Sequence, residues 1–235
     1  MKADGIELDV HLSKDDELMV CHDEKIDRCS NGSGEVCAMT VRELKQYDFS
    51  FGFARYKGER IPTLREVLEL LGPTGMLLNI ELKTNVHAYP GIEEKCLALV
   101  DEYGMSDRVM YSSFNSESLA RVHTLSPQTK LGLLYKKHYK GTLMRAKEGG
   151  ATALHPEFHL LYQENFVQTM HEKGYVLNVW TPNAPSDIWK LAKLGADGII
   201  TNQPDIARRV VHDEQRLDSV KEKVRRVRMR LRQST

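Results

Sequence analysis

The sequence predicts an α/β fold, specifically a (β/α)8 barrel of the TIM type that lacks its first βα unit. Three observations lead there. Short apolar runs alternate with amphipathic stretches along the chain, the pattern of parallel strands joined by helical crossovers. The strand candidates number seven, where a closed barrel has eight. The opening "MKADGIELDV" repeats the turn of the late "KLGADGIITNQPD" without the helix that precedes that turn. An open, doubly wound sheet is the runner-up, since it needs no closure.

The elements follow in order. "GIELDV" is the first strand. About 50 residues then separate it from the helical "PTLREVLELLG", too many for a plain connection, so a small excursion over one face is expected there. It contains a short strand candidate, "DELMVCHDE", and a turn cluster, "NGSGE". Next come the strand "MLLNIELK" and the helix "GIEEKCLALVDEYG", then "RVMYSSF" with "SESLARVHTL" and "KLGLLY" with "YKGTLMRAKEGG". "ATALHPE" with "YQENFVQTMHEKG" and "YVLNVWT" with "PSDIWKLAKLG" continue the alternation, and "DGIIT" with "PDIARRVVHDE" closes it. In "APSDIWKLAKLG", Ile188, Trp189, Leu191, Ala192 and Leu194 recur at helical spacing, and Gly195 supplies the left-handed residue that ends a helix.

At 235 residues the chain suits one large domain, placed at 1–210, followed by a basic segment, 211–235. In that segment Leu217, Val220, Val224, Val227 and Leu231 mark an apolar helical stripe among arginines. A helix over the barrel, a membrane-surface helix and a short coiled coil all fit it. Lys plus Arg and Asp plus Glu total 33 each, so no overall field points to nucleic acid as a partner. No apolar run approaches the length of a membrane span and no signal peptide is evident, which suits a cytoplasmic enzyme. Cys21, Cys29, Cys37 and Cys96 form no CxxC-type metal motif and read as reduced thiols.

The candidate chemistry lies at strand ends. Glu7 and Asp9 are two apart on one strand and share a face, where a buried parallel strand should be apolar. Glu81 and Lys83 repeat that spacing at the end of "MLLNIELK", the end at which barrel active sites form. Three carboxylates suit one hard divalent cation, Mg²⁺ or Ca²⁺ with Mn²⁺ as a third option, and Lys83 offers a positive charge to an anionic substrate or pairs with Glu81. His22 in "MVCHDE" is the candidate proton carrier. His11 continues the Glu7 and Asp9 alternation or else leaves the strand into solvent. His155 is a further mouth candidate, and the other histidines, His87 among them, read as surface residues.

These blocks resemble the glycerophosphodiester phosphodiesterase family. The likeness is carried by "ADGIELDVHLSKDDELMVCHDEKIDRCSNGSGEV", "MTVRELKQYD", "GERIPTLREVLELL", "LNIELK", "YPGIEEK", "DRVMYSSFN", "LNVWTPN" and "GADGIITNQPD", across roughly residues 3 to 210. It implies a metal-dependent barrel enzyme of glycerophospholipid metabolism that splits glycerophosphodiesters into an alcohol and glycerol 3-phosphate. By motif it implies Glu7, Asp9 and Glu81 as metal ligands, His22 as a catalytic histidine and Lys83 near the substrate phosphate. Phe114 and Trp180 match apolar positions around the mouth.

The family's "HRG" and "PENT" motifs, which follow its first strand, do not occur in this sequence. The chain is therefore expected to begin at the family's second strand, with the missing unit encoded upstream of Met1, lost, or supplied by another chain through open sheet edges that favour self-association. Two alternatives to full activity accompany that expectation: an impaired remnant or interaction subunit, and phospholipase D-like hydrolysis of lysophospholipid.

Overall fold

The computed structural model describes residues 3–137 and 141–212, so the basic segment expected at 211–235 lies, beyond its first two residues, outside the described residues. Of the described residues, those in 4–155 form one compact unit, and Ala3 with those in 156–212 form another. Among the described residues no helix is long and apolar enough to cross a membrane.

In the first unit the chain enters through β1 (Gly5–Leu12), which turns back as the short antiparallel β2 (Leu18–Val20) in the register Val10 to Val20. The excursion follows, with α1 (Val41–Leu44) and three 3-10 turns, and α2 (Leu64–Leu71) leads to β3 (Leu77–Leu82). Then come α3 (Ile92–Glu102), β4 (Val109–Ser113), α4 (Ser116–Leu125), β5 (Lys130–Tyr135), α5 (Thr142–Glu148) and β6 (Ala153–Pro156). β3 pairs parallel with β1 on one side and with β4 on the other, and β5 extends the parallel sheet beside β4. In the second unit α6 (Phe166–Glu172), β7 (Val176–Trp180), α7 (Pro185–Leu194) and β8 (Gly198–Ile200) continue the alternation, with β7 and β8 parallel. The seven expected strands are all present, and β2 is the extra strand expected within the excursion.

Local sequence explains the boundaries. Thr63 and Glu66 form a reciprocal capping box at the start of α2, and Thr40 and Glu43 do the same for α1. The carbonyls at the end of α2 are met by Arg108, whose guanidinium donates to Gly72 O at 2.8 Å. α7 starts with Pro185 at its first position and ends at Gly195, whose φ of 96° is the left-handed conformation expected for it. Asp197 of the "GADG" turn then accepts from Leu177 N–H at 2.8 Å, which ties the helix exit to β7.

Apolar side chains fill the unit around β1 and β3, where Val10, Leu78, Ile80 and Leu82 are buried. Strands β1 and β3 approach so closely that a Cβ on Gly5 would lie 2.7 Å from Leu77 O, so only glycine fits there. The excursion has its own small core of Met19, Ile26, Val36, Leu44 and Ile61, against which Tyr47 and Phe49 pack. That core makes the excursion a built platform, and its first strand hands the chain directly to His22.

Candidate active site

Register brings the carboxylates together. Asp9 of β1 lies opposite Glu81 of β3, and Glu7 lies opposite Asn79, so period-two alternation points all four at one face. The carboxylate oxygens of Glu7, Asp9 and Glu81 lie within 4.8 Å of one another. Lys83 reaches into the cluster, with Nζ 3.1 Å from Glu81 Oε1 and 3.4 Å from Asp9 Oδ1. Lys83 thus partners two carboxylates at once, where the sequence left a choice between Glu81 and substrate.

The electrostatics follow from burial. Loss of water, reinforced by the charges of Asp9 and Glu81, pushes the Glu7 carboxyl up to about 8. Burial, with Asp9 beside it, lifts Glu81 to about 7, and burial raises Asp9 against the pull of Lys83. Lys83 itself is held above its ordinary value: burial favours the neutral amine, but Glu81 and Asp9 together outweigh it. Three acidic groups share one ammonium, which leaves the cluster short of positive charge. Such a set, made wholly of carboxylate oxygens, fits a hard divalent cation.

His22 is delivered to this cluster by the backbone, because Cys21 N–H donates to Asp9 O at 3.1 Å and so docks the chain after β2 against β1. Its side chain is 67% exposed and stands close enough to Asp9 and Glu81 to bear on them electrostatically. His22 Nδ1 lies 2.5 Å from Asp23 Oδ1 and 3.2 Å from Arg28 Nη2. Arg28 grips the same carboxylate twice, at 2.6 Å and 2.8 Å, and its hydrogen bonds hold Asp23 well below the usual carboxylate range. An ionised Asp23 only accepts, so the shorter contact assigns the proton to His22 Nδ1 and leaves the Nε2 lone pair available.

The remaining candidates divide. Phe114 follows β4 directly, half-buried, with its carbonyl accepting from Arg145 Nη2 at 2.8 Å. Trp180 ends β7 in the second unit, also half-buried. His155 is fully buried, seated where a Cβ on Gly132 would stand 2.3 Å from its Nε2, and burial lowers it to about 4. His11 does not leave the strand into solvent. It is fully buried, its Nδ1 lies 3.1 Å from Tyr89 Oη, and burial lowers it to about 4.

Sequence reasoning passed over Asp23 and Arg28 as partners of His22, although Asp23 is adjacent in "CHDE". It also passed over Asn79, whose buried amide stands beside the carboxylates with no hydrogen-bond partner on either atom. Asn79 was visible in "LNIELK" as a polar residue inside an apolar run.

Strand alternation and the buried acidic cluster with its lysine define an α/β protein of the TIM type, with polar chemistry gathered where β1 and β3 run side by side. Solved structures agree. A glycerophosphodiester phosphodiesterase from Parabacteroides distasonis matches with a TM-score of 0.77 at 26% identity, covering 90% of this chain and 85% of that one. A phosphodiesterase from Oleispira antarctica, solved in complex with the product sn-glycerol-3-phosphate, matches with a TM-score of 0.76 at 27% identity over 88% of this chain and 85% of that one. The chain belongs to the glycerophosphoryl diester phosphodiesterase family, whose model matches residues 1–206. It is 43% identical over 204 residues to a glycerophosphodiester phosphodiesterase of Caldanaerobacter subterraneus, covering 86% of this chain and 84% of that protein. A glycerophosphodiester phosphodiesterase of Bacillus altitudinis is 40% identical, with 87% and 85% covered.

Proposed function

We propose that this protein hydrolyses glycerophosphodiesters to an alcohol and glycerol 3-phosphate with the help of one divalent cation, Mg²⁺, Ca²⁺ or Mn²⁺, as a cytoplasmic enzyme of glycerophospholipid metabolism. The observation that carries the proposal is the convergence of Glu7, Asp9, Glu81 and Lys83, with His22 docked beside them, in a chain of this family. The glycerol 3-phosphate held by the Oleispira relative supplies the product class.

Glu7, Asp9 and Glu81 would hold the cation, which when bound supplies positive charge to the phosphoryl oxygens as negative charge grows on them. Lys83 pairs with two of those carboxylates, opposing the effect of burial on them and holding them in place, and presents its ammonium toward the same phosphate. His22 moves the proton. With Nδ1–H held by Asp23, Nε2 takes a proton from the attacking oxygen or, once protonated, delivers one to the leaving alcohol. The Asp23 and Arg28 pair fixes the imidazole ring, which is otherwise exposed, in that orientation. Phe114, directly after β4, would shape the apolar side of the substrate site.

The test is release of glycerol 3-phosphate from glycerophosphocholine and glycerophosphoethanolamine by the chain with Mg²⁺, Ca²⁺, Mn²⁺ or EDTA. Cation-dependent release that His22→Ala removes is the expected result. Folded protein with no release under any of the cations would overturn the proposal.

A further inference from the structure

A second group of ligand-type side chains lies in the excursion, apart from the acidic trio. Glu35 and Cys37 flank Val36 in a single 3-10 turn, and His87 comes from the segment between β3 and α3. Their donor atoms lie within 4.8 Å of one another. Glu35 Oε2 is 3.6 Å from His87 Nε2 and accepts a thiol hydrogen bond from Cys37 Sγ at 3.7 Å. The His87 contact is too long for a hydrogen bond, and His87 Nε2 is shielded from solvent with no hydrogen-bond partner.

These separations have a simple meaning. Zn²⁺ bonds of about 2.1 Å to nitrogen and oxygen and about 2.3 Å to sulfur, set tetrahedrally, place neighbouring donors about 3.4 Å apart for O and N, and about 3.6 Å apart for O and S. The observed distances lie within a few tenths of an ångström of both. One thiol, one imidazole and one carboxylate form a borderline-soft donor set, quite unlike the all-oxygen trio of Glu7, Asp9 and Glu81.

We propose that Glu35, Cys37 and His87 form a zinc site that staples the excursion to the segment after β3. The Cys37 thiol releases its proton to solvent as the sulfur–zinc bond forms, His87 binds through Nε2, and Glu35 supplies one carboxylate oxygen. A solvent molecule completes four-coordination. The ring of His87 lies 5.5 Å, centroid to centroid, from that of Tyr89, whose hydroxyl holds His11 beside the acidic trio, so the staple also steadies one wall of that cluster. The assignment stands on its own donors and is independent of what the protein hydrolyses.

Co²⁺ is the probe, because its bond to a thiolate adds a near-ultraviolet charge-transfer band that carboxylate ligands alone do not produce. Titrating the EDTA-treated chain with Co²⁺ should raise that band to a plateau at one equivalent, and Zn²⁺ should erase it. Cys37→Ser should abolish the band, His87→Gln should weaken Co²⁺ affinity by about 10- to 100-fold, and Cys21→Ser with Cys29→Ser should leave the band unchanged. Folding of each variant is checked by far-ultraviolet circular dichroism. In the unaltered chain, Zn²⁺ should also slow iodoacetamide modification of Cys37, mapped by mass spectrometry. No thiolate band, a band that survives Cys37→Ser or vanishes with the Cys21 and Cys29 changes, or unprotected Cys37 in the native chain would each overturn the proposal.

Discussion

The strand pair β1 and β3 and the excursion gather ligand-type side chains by opposite means. On the strands, period-two alternation and parallel register carry Glu7, Asp9 and Glu81 to one face, so the backbone itself dictates the cluster. In the excursion no period operates: a separate small core of Met19, Ile26, Val36, Leu44 and Ile61 shapes the segment that carries Glu35 and Cys37, and His87 meets them from the segment between β3 and α3. Chemistry written on regular elements is rigid and readable. Chemistry written on loops depends on the packing beneath it.

The sharpest way to separate the two is to break them one at a time. Replacing His22 by Ala should lower cation-dependent release of glycerol 3-phosphate by about 10² to 10⁴ while leaving the Co²⁺–thiolate band untouched. Glu81→Gln should cost about 10² to 10³ in the same assay, again without effect on that band, and His87→Gln should reverse the pattern by weakening the band far more than turnover. A loss of both signals in either variant would mean that the two clusters are one cooperative site.

Stability against pH sharpens the same contrast. Burial pushes the Glu7 carboxyl from its ordinary 4.5 up to about 8 in the folded protein, so the folded state binds more protons across that window. Raising the pH from about 4.5 toward 8 therefore withdraws stability from the cation-free protein. Thermal midpoints in EDTA should fall across this range more steeply for the native chain than for Glu7→Gln. Saturating divalent cation should flatten the native slope, because the ion stabilises the ionised carboxylates in place of protons. Equal slopes for the native chain and the variant would contradict the buried, charge-deficient cluster.

The smallest expected effect lies away from both clusters. Gly132→Ala sets a Cβ against the buried ring of His155, which costs about 1–3 kcal/mol for a strained core insertion, read as a lower urea midpoint. A neutral result would show that the β5 and β6 region yields more readily than the β1 and β3 pair.

Much of this was legible beforehand, for identifiable reasons. Gly195 announced the end of α7 because only glycine adopts that φ without strain, and Glu7, Asp9 and Glu81 stood out because charge interrupts an apolar period. The grip of Asp23 and Arg28 on His22 was not legible, since it depends on the path of the chain through the 3-10 turn at Ile26–Arg28. His87 read as an ordinary surface histidine because nothing near it in the chain resembles a metal motif. Its partners Glu35 and Cys37 lie about 50 residues away, farther than any single element reaches.

The amino-acid sequence by itself determined the alternation of strands and helices, the family, and the face on which the acidic residues stand. These rest on local geometry, which repeats every two residues in a strand and every 3.6 in a helix. Tertiary structure alone decided that Lys83 serves two carboxylates, that His11 is buried against Tyr89, and that Glu35 and Cys37 meet His87. Those outcomes come from packing between distant segments, where the position of each side chain is set by what covers it.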